Sequence, residues 1–122
     1  MIINKNTTTA EVNNTFVAAY PYLKLAFYKK SHDHFHGSQK KDEIAKETTL
    51  EVLNPDMQEG EIEWTGQMSV DALETHFEEK FGLHVQVFRK SGDIWLQTSK
   101  TDHWTLDEQN IHATQNEKFA TK

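Results

Sequence analysis

Cysteine is absent from the 122 residues, which removes disulfides, thiolate nucleophiles, Cys-ligated zinc and iron–sulfur clusters from the possible chemistries. The five glycines are too scattered to form a phosphate-cradling loop or to frame a serine elbow, so nucleotide hydrolysis loses its usual scaffold. No apolar run approaches the roughly 20 residues that span a bilayer. The segment from Met1 to Ala10 also lacks a basic stretch leading into an apolar one. A cytoplasmic protein without membrane association is therefore expected. Cations are in short supply: 13 Lys and Arg against 19 Asp and Glu leave a formal charge of −6. Nonspecific nucleic-acid binding, which draws its affinity from cations that neutralise phosphates, is disfavoured. Lys29, Lys30, Lys40 and Lys41 flank one loop and form the local exception, although patches of this size ordinarily just solvate a surface.

Against these absences stands a hydrophobic content of 36%, enough for one packed core at this length. The large apolar residues fall in a pattern that occurs twice. Val12, Phe16 and Tyr20 recur 61 positions later as Leu73, Phe77 and Phe81. Leu23, Leu25, Phe27 and Tyr28 recur at an offset of 60 as Leu83, Val85, Val87 and Phe88, each set followed by a basic pair and a serine.

Spacing of four residues places each first triplet on one helix face, so two equivalent helices are predicted. Thr8 with Glu11 has capping-box spacing, Ser69 is the matching cap with Asp71 beside it, and Pro21 and Gly82 stop the two helices. The alternation that follows each stop predicts a half-buried strand. Short strands before the helices are expected at Ile2-Ile3 and at Ile62 to Trp64.

In the second copy a turn at Ser91-Gly92 leads into Ile94-Trp95-Leu96, placing Phe88 opposite Trp95 and Val87 opposite Leu96. The offset of 60 makes His34-Phe35-His36 the corresponding strand of the first copy. Each copy closes with a short helical signal, Thr49-Leu50-Glu51 ending at Asn54 and Thr105-Leu106-Asp107 ending at Asn110. Thr48 with Glu51 and Thr105 with Glu108 again have capping-box spacing.

The expected architecture is thus an α+β fold of two strand-helix-hairpin repeats, about 1–54 and 61–112, packed as one pseudo-symmetric domain. Residues 55–60 serve as a connector and 113–122 as a frayed tail.

From Met68 to Ile111 the order helix, alternating strand, hairpin and then Trp104-Thr105-Leu106-Asp107-Glu108-Gln109-Asn110-Ile111 resembles a ubiquitin-like β-grasp segment, in which a Thr-Leu-acidic turn ending in Asn-Ile occupies a similar place. The chain lacks a Gly-Gly terminus and a clear final strand after Ile111, so the resemblance does not imply conjugation. The whole chain, with its Phe77 to Phe88 run, also resembles a group of short bacterial two-copy proteins without an assigned function. That likeness implies an α+β fold and no site residues.

Two sites compete. His32, His34 and His36, three of the seven histidines, alternate, so an extended backbone sets their imidazoles on one side, where ring nitrogens can hold zinc, nickel or copper. The ordinary alternative is a polar hairpin tip kept soluble by its histidines. The second site is a binding surface of paired aromatics, Tyr28 with Phe35 and Phe88 with Trp95, whose competing reading is a second side of the core. Glu74, His76, Glu78 and Glu79 offer acid-base neighbours on a helix, and Asp102-His103 invites a triad, but a charged helix face and mere adjacency account for both. The expectation is a non-catalytic protein-interaction module, a monomer or weak dimer with an unidentified protein partner. A metal-binding protein or metal-dependent enzyme built on the three histidines is the alternative.

Overall fold

A computed structural model describes residues 1–29, 42–44 and 46–120, with side chains as far as residue 113. The elements run β1 (Ile2–Ile3), α1 (Thr9–Ala19), β2 (Leu23–Tyr28), α2 (Leu50–Leu53), β3 (Gly60–Glu61), α3 (Val70–Phe81), β4 (His84–Ser91), β5 (Ile94–Gln97), a 3₁₀ turn (Ser99–Thr101) and α4 (Leu106–Ala120). The fold is α+β, with two antiparallel sheets, β1-β3 and β2-β4-β5.

α1 and α3 each begin on a hydroxyl cap: Thr8 Oγ1 accepts the Glu11 N–H at 3.1 Å and Ser69 Oγ accepts the Ala72 N–H at 3.0 Å. They stop by different means. At α3, Gly82 adopts φ +64°, its N–H bonds to Glu78 O, and Leu83 N–H reaches back to Phe77 O, a turn that needs the left-handed region. At α1, Tyr20 stays at φ −133° and Pro21 ends the hydrogen-bond ladder.

Val12, Phe16 and Tyr20 of the α1 stripe, and Leu73, Phe77 and Phe81 of α3, are buried against Leu23, Leu25 and Phe27 of β2 and Leu83, Val85 and Val87 before and within β4. Period-2 alternation puts those strand residues on one face of the sheet. The Phe27 and Phe77 rings meet edge to face at 6.2 Å, so the two halves share one core.

At the centre of the larger sheet, β2 pairs with β4 from Leu23 opposite Arg89 to Tyr28 opposite His84. In the smaller sheet Met1 and Ile62 exchange backbone bonds, extending the pairing of β1 with β3. Gly60, at the end of the expected connector, already lies in a strand.

α2 and the first turn of α4 dock on the starts of α1 and α3 through backbone bonds. Leu50 N–H donates to Thr7 O, Thr9 N–H to Thr48 O and Glu51 N–H to Lys5 O, at 2.8, 2.9 and 3.1 Å. In the other half Leu106 N–H donates to Met68 O, Val70 N–H to Trp104 O and Asp107 N–H to Gly66 O, at 2.9, 3.0 and 3.0 Å. The capping box of Thr105 and Glu108 forms with both reciprocal bonds. The one expected at Thr48 and Glu51 does not: Thr49 is the cap residue, and the Glu51 N–H is already taken by the Lys5 carbonyl. α2 ends at Asn54 as expected, whereas α4 runs on to Ala120.

The hairpin register also differs from expectation. The turn is Gly92-Asp93, with Gly92 at φ +60°, so Ser91 faces Ile94, Lys90 faces Trp95, Arg89 faces Leu96 and Phe88 faces Gln97. Moving the turn one residue along shifts every cross-strand partner by two. In the first half the backbone that pairs with the outer side of β2 is Asp42 to Ile44, through Lys29 N–H to Asp42 O and Ile44 N–H to Phe27 O at 2.9 and 2.8 Å. His34-Phe35-His36, expected in that role, lies outside the described residues. Among the described residues no helix is long and apolar enough to cross a membrane.

Candidate functional site

The face of the sheet turned away from α1 and α3 carries Lys24, Ala26 and Tyr28 of β2, Gln86, Phe88 and Lys90 of β4, and Trp95 and Gln97 of β5, as the alternation and the pair register require. Tyr28 and Phe88 are buried, 2% and 9% exposed, and so present no accessible ring. Trp95 is 37% exposed. Phe35 lies outside the described residues, so of the four aromatics singled out in the sequence Trp95 is the one the structure places at the surface.

Trp95 is not isolated. Its neighbours Ile94 and Leu96 are 58% and 38% exposed, which makes three consecutive apolar residues open on the outermost strand. The backbone geometry explains what that strand offers. Thr98 N–H donates to Val87 O, so the odd-numbered residues of β4 direct their polar groups toward β5, and Lys90 N–H turns the other way, to Tyr22 O. In the antiparallel register Ile94 and Leu96 therefore bond inward to β4. Trp95 directs its N–H and C=O outward, and among the described residues no strand pairs with that edge.

Lys24 lies over this site. Its Nζ is 5.2 Å from the centre of the Phe88 ring and 4.9 Å from that of Trp95, so the ammonium spans two aromatic faces. On the opposite face Arg89, the partner of Leu96, donates through Nη1 to Gln109 Oε1 at 2.8 Å and stacks 5.6 Å from the Trp104 ring. Gln109 is in turn fixed by Thr101. Partial burial draws the Arg89 guanidinium below its ordinary value.

Just past the end of β5, polar side chains take over the outer edge of β4. Glu74 Oε2 accepts from Val87 N–H at 2.9 Å and from Gln86 Nε2 at 3.3 Å, and Thr98 Oγ1 donates to Val87 O at 2.9 Å. Asn13 Oδ1 does the corresponding task on β2, accepting Leu25 N–H at 2.8 Å. Tyr28 donates to Glu43 Oε1 at 3.3 Å. Burial first, and the Glu43 charge second, raise its hydroxyl well above the usual phenol range.

The acid-base cluster read from α3 is divided among three surroundings: Glu74 is in the interior, Glu78 sits 3.9 Å from His84, and His76 and Glu79 line an open groove with Glu61, Glu63 and Lys80. Asp102 is buried and His103 exposed, so their adjacency in sequence brings no shared site. His32, His34 and His36, the candidate metal ligands, lie outside the described residues, as do Lys30, Lys40 and Lys41. Among the described residues no group of three or more His, Asp or Glu is placed to hold a metal ion.

Sequence reasoning missed Ile94 and Leu96 as surface residues because an apolar triplet after a turn reads as core. Among the described residues no strand follows β5 in the chain or pairs with its outer edge. No protein-family model, curated protein or solved structure matches this chain.

Proposed function

We propose that this chain is a non-catalytic interaction module whose contact element is the outer edge of β5. The observation that carries this is the coincidence on one strand of exposed Ile94, Trp95 and Leu96 with the outward N–H and C=O of Trp95. A strand in this state is a template for another strand, supplying main-chain bonds for affinity and alternate side chains for selectivity.

Affinity capture from a native extract, run in parallel with the wild-type chain, Trp95→Ala and Trp95→Pro, tests it. Both variants lose the indole, but only proline also removes the outward N–H while leaving the inward bonds to β4. A partner retained weakly by Trp95→Ala and lost with Trp95→Pro is the expected result. Capture that is unaffected by either change, or no reproducible partner at all, would place the function elsewhere.

We also infer that about 1–54 and 61–112 are two copies of one unit, related by a pseudo-dyad. Three backbone bonds at the start of α1 have counterparts at the start of α3, with donors Leu50, Thr9 and Glu51 answering to Leu106, Val70 and Asp107. Residues matched by the sequence offsets also pair with each other: Ala26 faces Gln86, and Met1 bonds to Ile62. Bridges Thr8 to Thr49 and Ser69 to Thr105 add the same correspondence. The likeness of the second copy to a β-grasp segment and of the chain to bacterial two-copy proteins belongs with this inference.

A further inference from the structure

Resting on the edge-strand reading above, we infer that the occupant of β5 is an extended segment of a partner protein that alternates carboxylate and apolar side chains, with the carboxylates on the Trp95 face. An added strand sets its side chains beside those of β5, so every second residue shares the face of Trp95 and the intervening ones share the face of Ile94 and Leu96. The two faces make different demands. Ile94 and Leu96 offer exposed hydrocarbon. The Trp95 face offers an ammonium, Lys24 Nζ, held over the Trp95 and Phe88 rings and paired with no carboxylate among the described residues.

This ammonium stands on a chain whose formal charge is −6. Glu43 and Glu47 line one groove together with Lys24, without an ion pair to its ammonium among the described residues, and Asp93 is in the hairpin turn. An incoming carboxylate beside Trp95 meets Lys24 where the aromatic faces already shield the ammonium from water, which strengthens the attraction. A lysine at that place meets like charge instead.

A second copy of the chain fits poorly. Pairing two β5 strands about a dyad brings the two Lys24 ammonium groups toward each other and joins two bodies of charge −6.

The full-length protein, labelled for amide NMR, is titrated with three synthetic heptapeptides capped at both ends: alternating Val and Glu, alternating Val and Lys, and alternating Val and Thr. The expected result is saturable shifts confined to Ile94–Gln97, Lys24 and the Trp95 indole. The Glu peptide should bind at least about tenfold more tightly than the Lys peptide, and more weakly as salt is added. Lys24→Glu should reverse that order. Lys24→Met, which keeps the hydrocarbon over the rings, should abolish the preference while leaving the β5 shifts in place and so controls for folding.

Equal binding of all three peptides at β5 would overturn the carboxylate inference and leave the edge-strand reading standing. No shift at β5 with any peptide would overturn both. Concentration-dependent dimerisation that Trp95→Pro abolishes would give the site to a second copy and overturn the inference.

Discussion

Glu74 Oε2, from the middle of α3, accepts the backbone N–H of Val87 at 2.9 Å, so a helix side chain completes the sheet where β5 has ended. The same oxygen holds the Gln86 amide, and both residues are buried. Burial without a partner is what makes a polar group costly, so this contact is a structural requirement and no sign of a reaction.

Replacing Glu74 by leucine leaves the Val87 N–H and the Gln86 amide without this acceptor. A loss of about 2–4 kcal/mol is expected from urea unfolding. Glu74→Gln, which keeps an acceptor oxygen at the same reach, should recover roughly half of it. A leucine variant as stable as the wild type would show that the edge is satisfied in another way.

The two left-handed glycines should respond unequally to alanine. A Cβ on Gly92 meets nothing within 4 Å, whereas one on Gly82 would lie 2.5 Å from Asn54 Nδ2. That amide also donates to Phe81 O at 2.7 Å. Gly92→Ala should therefore cost about 1 kcal/mol for the backbone alone. Gly82→Ala should cost about 1–2 kcal/mol more, through the displaced Asn54 bond. Thermal unfolding of both variants under one condition tests the order.

Leu50 and Leu106 are the first residues of α2 and α4, donate their N–H to Thr7 O and Met68 O ahead of α1 and α3, and are both fully buried. Leu50→Ala and Leu106→Ala should each destabilise by about 2–5 kcal/mol, with values close to one another. A large inequality would mean that the two docking sites, matched in their backbone bonds, are not matched in their packing.

Alkaline pH should unfold the chain earlier than its composition suggests. Tyr28, and Tyr20 through burial and the Asp107 charge, are both raised above the ordinary tyrosine value of 10.0. In the unfolded chain these hydroxyls ionise near that value while the folded ones stay neutral. Their contribution is therefore complete below the unfolded value and falls away as pH rises from there toward the folded one. Tyr28→Phe should flatten the loss of stability above about pH 10, measured by denaturant titration at each pH. An unchanged alkaline limb would rule Tyr28 out as its source.

Elements with a strong period were legible in the sequence. The stripes 12/16/20 and 73/77/81, the stops at Pro21 and Gly82, and the alternating strands recur in the fold because burial on one face leaves a mark at fixed spacing. The hairpin register was not legible, since Ser91-Gly92 and Gly92-Asp93 are both acceptable turns and the choice moves Trp95 from Phe88 to Lys90. The role of Asp42 to Ile44 was also hidden, because two acids and one isoleucine carry no alternation. Gln86, Gln109 and Asp102 read as solvent-facing letters yet are buried, since pattern alone does not reveal a polar group that has found its partners inside. The candidate edge was half legible: Trp95 was named, but its exposed neighbours and the ammonium above it depend on the register.

The central seam of the sheet joins Tyr28 to His84 and Leu23 to Arg89, residues 56 and 66 positions apart. At a synthesis rate of about 5–20 residues per second, β2 leaves the ribosome roughly 3–13 seconds before its partner β4 has been made. During that interval Leu23, Leu25 and Phe27 lack the strand that completes their sheet. Until β4 has been made, the β2 segment is open to pairing with another strand.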